Sequence, residues 1–222
     1  MKTFNQIQEG VYDPNIFKAI FLAGGPGSGK SYVVRKTTGG MGMKIVNSDD
    51  VYEKMLKDVG LDTTPEDIYS DQGQDIRLKA KKTVKVMQSS YIGGRLGHII
   101  DGTGKDYDKI SKQVGMLKGL GYDCYMIFVN TSLDTAQERN AERKRTLPEK
   151  EVEKMWKEVQ TNIGKFQRLF GNKSFVIVDN NDAGEDVFAK VWKRVMVLIR
   201  NKVSNHIAKR WISQELAKKA QK

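Results

Sequence analysis

Lys18-Ala19-Ile20-Phe21-Leu22-Ala23-Gly24-Gly25-Pro26-Gly27-Ser28-Gly29-Lys30-Ser31 is the stretch on which the fold turns. Its first six residues read as a buried strand. The next eight fit G-x-x-x-x-G-K-[ST]. Glycines let successive backbone N–H groups curl around phosphate oxygens where a Cβ would intrude. A helical pattern over about 29–37 follows, and its first turn offers unpaired N–H donors and the positive end of the helix dipole. Lys30 then reaches the β- and γ-phosphates of a nucleoside triphosphate such as ATP, and the Ser31 hydroxyl ligates Mg²⁺. Gly25, Pro26, Gly27, Ser28, Gly29, Lys30, Ser31 and Tyr32 are the candidate nucleotide-binding residues.

Outward from that loop, short apolar runs alternate with longer amphipathic segments, the pattern of βα units around a parallel sheet. Strands are predicted near 18–23, 43–47, 97–101, 123–129 and 174–179. Helices are predicted near 29–37, 50–58, 65–90, 105–119, 132–145, 149–169, 183–203 and 205–220, with turns at Gly39-Gly40, Gly93-Gly94, Gly119 with Gly121, and Gly171-Asn172. The implied fold is a three-layer α/β phosphate-loop NTPase architecture with a mainly parallel five-stranded sheet. A helical lid would span about 132–150, and basic helices would close the chain. Residues 1–182 form the predicted core and 183–222 a helical extension. Val187 through Ile199 is apolar enough to pack on the sheet. Asn205 to Lys222 is a basic amphipathic tail that docks, contacts nucleic acid or frays.

Phosphoryl transfer to a hydroxyl needs a carboxylate to orient the acceptor and take its proton. In open α/β sheets that group belongs at the carboxyl end of a strand beside the loop strand. Ile45-Val46-Asn47-Ser48-Asp49-Asp50 supplies one, with Asp49 the candidate base and Asp50 a candidate helix cap. His98-Ile99-Ile100-Asp101 is a second apolar run ending in an acid, a Walker-B-like pattern whose carboxylate holds Mg²⁺ directly or through water. His98 itself is expected to pack or face solvent. Arg139 and Arg143 lie four apart on one helix face and would close over the transferring phosphate as lid arginines. The plain alternative for that run is a solvated helix paired with Glu138 and Glu142.

The chain has 222 residues, which suits one domain with an appendage, and 39% of them are hydrophobic, enough for a sizeable core. No run approaches the length of a membrane span, and the start, Met1 to Gln6, is polar. Cys124 is the single cysteine, which excludes an internal disulfide and a multi-cysteine zinc site. A cytoplasmic location follows as the expectation. Thirty-eight Lys+Arg against 27 Asp+Glu leave +11, an excess that favours polyanionic partners.

These motifs together resemble small P-loop kinases of the polynucleotide kinase and zeta-toxin type, many of them phage-encoded; the location would then be the host cytoplasm. Gly24 to Ser31 is similar to the loop G-x-P-G-S-G-K-S of phage polynucleotide 5′-hydroxyl kinase domains, and Asn47-Ser48-Asp49-Asp50-Val51-Tyr52 to their N-x-D-D-Y-R motif. Tyr91-Ile92-Gly93-Gly94 is similar to the turn before their third strand, Asp101-Gly102-Thr103 to the end of that strand, and Arg139-Asn140-Ala141-Glu142-Arg143 to their lid pattern R-N-x-x-R. The resemblance spans about 18–170. It implies general-base chemistry at Asp49, a functional carboxylate at Asp101 and donor-phosphate contact by Arg143. The chain departs from it at Tyr52, where that family carries an arginine for the acceptor phosphate. Phage kinases that phosphorylate 5-hydroxymethyluracil in DNA are similar in size and loop architecture.

Residues 76–86 hold five basic side chains and no acid, with Ile76, Ala80 and Val84 as the buried stripe. This wall would track a phosphate backbone while Tyr91 or Trp211 stacks a base, or it is simply a solvated basic helix. The combined expectation is an ATP- and Mg²⁺-dependent kinase acting on a nucleic-acid hydroxyl, either a 5′ end or a hydroxymethylated base in DNA. Its rivals are a kinase for a nucleoside, nucleotide or sugar nucleotide, and a non-catalytic, nucleotide-gated DNA-binding protein. Asn180 and Asn181, beyond the last strand, would border the adenine.

Overall fold

The computed structural model describes residues 10–38, 42–142, 146–182 and 185–221. The turn predicted at Gly39-Gly40, the polar start at Met1–Gln6 and the lid residue Arg143 lie outside them. Strand β1 (Lys18–Ala23) is buried along all six residues, as a strand covered on both faces must be. With β2 (Lys44–Val46), β3 (His98–Asp101), β4 (Asp123–Asn130) and β5 (Phe175–Asp179) it forms one sheet in the order β2-β3-β1-β4-β5. Every pairing is parallel. The chain therefore turns to opposite sides of β1 after its first and third crossovers. The crevice at the carboxyl end of β1 is the place where ligands of such sheets bind.

Alternation along the strands divides the core into two faces. Ala19, Phe21 and Ala23 of β1, with Cys124, Met126 and Phe128 of β4, face α5 (Tyr107–Gly119), α8 (Ile163–Phe170) and α10 (His206–Ala220). Ile20 and Leu22, with Tyr125, Ile127 and Val129, face α1 (Lys30–Thr38) and α9 (Glu185–Arg200). A third, smaller cluster of Tyr52, Leu56, Ile68, Ile76 and Ala80 binds together α2 (Ser48–Asp58), α3 (Pro65–Tyr69) and α4 (Asp71–Gly93), the excursion between β2 and β3. Helices α6 (Leu133–Ala141) and α7 (Glu149–Gln160) follow β4.

Two predicted helices are each broken into two. The segment at 65–90 divides at Ser70, whose ψ of 155° is extended. The Ser70 hydroxyl donates to Asp67 O at 2.6 Å and accepts from Gly73 N at 3.0 Å, so it ends one helix and caps the next. The segment at 149–169 divides at Thr161-Asn162. Asn162 is buried there, and its Nδ2 donates to Gly104 O and Lys105 O, 3.0 and 2.8 Å away. Those partners are distant in sequence, so no local pattern announces the break.

The basic tail docks. Ala208 is fully buried, Asn205 Nδ2 donates to Lys118 O at 2.8 Å, and the Lys219 ammonium sits 4.7 Å from the Tyr12 ring centre. Trp211 packs edge-on against Phe17 at 5.4 Å, at the amino-terminal end of the sheet. That corrects the stacking role expected for it: the indole is spent on the core, at the opposite end from the phosphate loop. His98 is buried against Tyr122, 5.3 Å between ring centres, and burial lowers its pKa.

Candidate active site

The loop Gly24–Gly29 joins β1 to α1 in conformations that need glycine. Gly27 and Gly29 have φ of 71° and 77°. A Cβ on Gly27 would collide with the main chain of Ala136, and one on Gly29 with the Asn180 amide, because α6 and the end of β5 press directly on the loop. Gly24 N donates to Thr103 O at 2.9 Å, tying the loop to the segment after β3. Asn180 Nδ2 donates to Ser28 O at 2.8 Å, tying it to β5. Lys30 Nζ curls back onto Gly24 O at 2.7 Å and Gly25 O at 3.1 Å. Ser28 is buried, and its Oγ has no hydrogen-bond partner among the described residues. A phosphate oxygen fits that vacancy in the bonding pattern as well as it fits the cradle.

Two strand ends deliver the carboxylates. Asn47, after β2, accepts from Asp49 N at 2.8 Å and so caps α2; its Nδ2 donates to Asp101 Oδ2 at 2.9 Å, at the end of β3. The cap is thus Asn47 and not Asp50, which lies inside the first turn, and the same amide ties the start of α2 to the Asp101 carboxylate. Burial pushes the Asp101 pKa up, the Lys30 ammonium pulls it down, and Asp50 and Asp49 raise it again. The Asp50 pKa is raised by burial and by Asp49, while Arg35 opposes the rise. Lys30, Asp49, Asp50 and Asp101 thus lie within electrostatic reach of one another, although no segment shorter than 70 residues contains all four.

The Ser31 hydroxyl at the start of α1 and the Asp101 carboxylate are hard oxygen donors suited to Mg²⁺. Among the described residues no cluster of three or more His, Cys, Asp or Glu could hold a metal. A divalent ion here would take most of its shell from phosphate and water, as Mg²⁺ does.

Arg139 stands beside the loop, its Nη1 3.8 Å from where a Cβ on Gly29 would be, and is held there by the end of β5. Its Nη1 and Nη2 donate to Asn180 O and Asn181 O, each at 2.8 Å, while Ser132 N donates to Asn181 Oδ1 at 2.6 Å. Arg139 near one end of α6 and Ser132 at the other thus both fasten that helix to the end of β5. Asn140 joins the end of α6 to the start of the segment leading into α7: its Nδ2 donates to Leu147 O at 2.8 Å and its Oδ1 accepts from Leu147 N at 3.0 Å. Trp156 Nε1 donates to Thr131 O at 2.8 Å, and α7 leans on the loop, with Trp156 Cα 3.7 Å from where a Cβ on Gly25 would stand. Tyr32 packs edge-on against Phe188 at 5.2 Å.

Tyr52 is buried, with the Arg77 guanidinium 5.1 Å from its ring centre. Lys79, Lys81, Lys82 and Lys85 are exposed along α4, while Ile76 and Ala80 are buried; Val84, the third residue of the predicted stripe, is only half-buried. The Asn47 bridge, the Arg77–Tyr52 stack and the Trp156 contact were not legible beforehand. Only Asn47 gave a signal, an Asx residue standing where a helix begins.

The family model AAA_33, an AAA domain, matches residues 20–161. No curated protein matches the sequence. Among solved structures, a gluconokinase from Sinorhizobium meliloti 1021 is similar at 14% identity and a TM-score of 0.52, over 84% of this chain and 96% of that one. The Pnkp1/Rnl/Hen1 RNA repair complex is similar at 19% identity and a TM-score of 0.52, over 75% of this chain and 49% of that one. The AvrRxo1-ORF1:ORF2 complex with ATP is similar at 14% identity and a TM-score of 0.56, over 79% and 63%. At these identities the likeness is one of fold, and it is the P-loop kinase fold.

Proposed function

The chain belongs to that AAA-domain family, and from this premise we propose that it is a phosphotransferase moving the γ-phosphoryl group of ATP to a hydroxyl of a nucleic acid. The observation carrying this reading is the Asn47 bridge, which ties the first turn of α2, where Asp49 stands, to the Asp101 carboxylate within electrostatic reach of Lys30. A second, exposed carboxylate beside the loop, Asp49, is what acceptor chemistry needs and nucleotide sensing alone does not. In the reaction, loop N–H groups and Lys30 hold the β- and γ-phosphates. Asp49 accepts the acceptor hydroxyl's proton as its oxygen bonds to the γ-phosphorus and the bond to the β-phosphate oxygen breaks. Ser31 and Asp101 would hold Mg²⁺, which neutralises charge on the β- and γ-oxygens. Arg139 frames the nucleotide through the end of β5, and Arg143 is the residue proposed for the donor phosphates.

The acceptor is a 5′-hydroxyl end or a hydroxymethylated pyrimidine in DNA. Support comes from the +11 charge, the exposed lysines of α4 and the RNA-repair neighbour. Transfer from γ-labelled ATP to a panel of oligonucleotides, hydroxymethylated DNA, nucleosides and sugars tests this. Label on DNA is expected. Label on gluconate or a free nucleoside alone would replace it with the small-molecule reading that the gluconokinase neighbour supports.

A further inference from the structure

A cavity of about 640 Å³, part apolar through Val197 and Leu198, opens at the opposite end of the sheet from the phosphate loop, between the start of β5, the last turns of α9 and the link to α10. Three cations from three separate segments line it: Lys173 before β5, Arg194 on α9, and Lys202 in the link. Ser174 adds a hydroxyl. The one acid among its lining residues, Asp123, is already engaged. It lies 3.1 Å from Lys18 Nζ and accepts from Ser204 N at 2.8 Å and Ser204 Oγ at 2.6 Å. Lys18 is wholly buried, so its charge cancels that of Asp123 on the spot. The rim is left with a net charge of three cations. Arg194 Nη2 donates to Asn172 O at 3.0 Å and Phe175 O at 3.3 Å, which fixes its guanidinium at the rim with one of its three nitrogens.

We infer that this cavity is a second anion site, taking a phosphate-bearing ligand. A carboxylate carries one charge and cannot answer three cations, whereas a phosphate group brings up to two charges and three acceptor oxygens. The volume is that of a small-ligand pocket. Asp123 and Asn130 mark the two ends of β4, so the site lies about 23 Å from the phosphate loop, too far to share one mononucleotide with it. The source of the phosphate is a free phosphorylated small molecule or the backbone of a bound single strand. Neither depends on which acceptor the kinase uses.

The test uses the full chain carrying Lys30→Ala, which silences the phosphate loop, with and without Lys173→Glu and Lys202→Glu. Both lysines are exposed, and Arg194 keeps its main-chain bonds in this variant. Sodium pyrophosphate is titrated calorimetrically, and a labelled single-stranded oligonucleotide is followed by anisotropy between about 50 and 200 mM salt. The reversal is expected to weaken pyrophosphate binding about tenfold or more, the scale of two lost charge-assisted contacts. If a strand is the source, the log–log salt slope for the oligonucleotide shrinks by about 1.4, at roughly 0.7 per phosphate. Loss in the pyrophosphate arm alone assigns a free phosphate ligand; loss in both assigns the strand. Unchanged affinity and slope in both arms, with a melting temperature equal to the parent's, overturns the site. Arg194→Gln, which keeps hydrogen-bond donors at the rim, is a second variant read the same way should the reversal fail to fold.

Discussion

Asp101 shows what a functional carboxylate costs a fold. Burial and two neighbouring acids raise its pKa, and Lys30 recovers only part of the penalty. A carboxyl group with a raised folded pKa binds its proton more tightly in the folded state than in the unfolded one. The penalty is therefore absent at pH below about 3.9, grows as pH climbs through the window up to the folded pKa, and is complete above it. Asp101→Asn should then raise the melting temperature of the nucleotide-free protein at neutral pH, with the gain vanishing in acid; calorimetry across pH reads it. The same change should abolish turnover. Asp49→Asn is expected to lower kcat by about 10²- to 10⁴-fold with ATP affinity nearly intact. Affinity is measurable through Trp156, whose helix leans on the loop. Unchanged turnover would remove the base from the scheme. The phosphate loop and both acids were readable because each lies in a contiguous apolar–polar run. The Asn47 bridge was not, since Asn47 and Asp101 are 54 residues apart.

At the scale of elements, the joints between helices and sheet are made by single polar side chains. Asp123 is the plainest: burial would raise its pKa, but the two bonds from Ser204, joined by Lys18, outweigh it and bring it below the usual carboxylate range. A depressed folded pKa gives stability that is present above about pH 3.9 and is lost as pH falls through the folded value. Asp123→Ala leaves Lys18 buried with no carboxylate and should cost about 3–5 kcal/mol in denaturant melts. Asp123→Asn, which spares the hydrogen bonds to Ser204, should cost less. Arg139→Ala removes two of the bonds that hold α6 to the end of β5 and is expected to raise the KM for ATP more than it lowers kcat; the reverse split would assign Arg139 a transition-state role. Helix lengths were legible from periodicity, whereas breaks at Ser70 and Asn162 were not. Both are set by what one side chain finds after folding, and a propensity pattern records only the chain's local preference.

For the whole molecule, βα alternation and one glycine-rich loop fixed the order of elements, and parallel crossovers left little freedom in how the sheet could be wound. What charge along the chain left open was which basic segments are spent internally. The tail could have docked, met nucleic acid or frayed, and it docks as a buttress, with Ala208 buried and Trp211 packed against the core, while the cations at 173, 194 and 202, scattered in sequence, line one cavity. If the acceptor is a polymer, affinity for it should fall by orders of magnitude between about 50 and 200 mM salt, and affinity for ATP should hardly follow. Cys124 carries a last consequence. It points from β4 into the aromatic face, 5% exposed, and burial pushes its thiol pKa up to about 12. A maleimide offered to the folded chain will find no thiolate to attack, and labelling can advance only as fast as the sheet itself comes apart. With one sulfhydryl in 222 residues, the protein thus contains its own chemical stopwatch for global opening, one that nucleotide binding should slow and that needs no engineered probe.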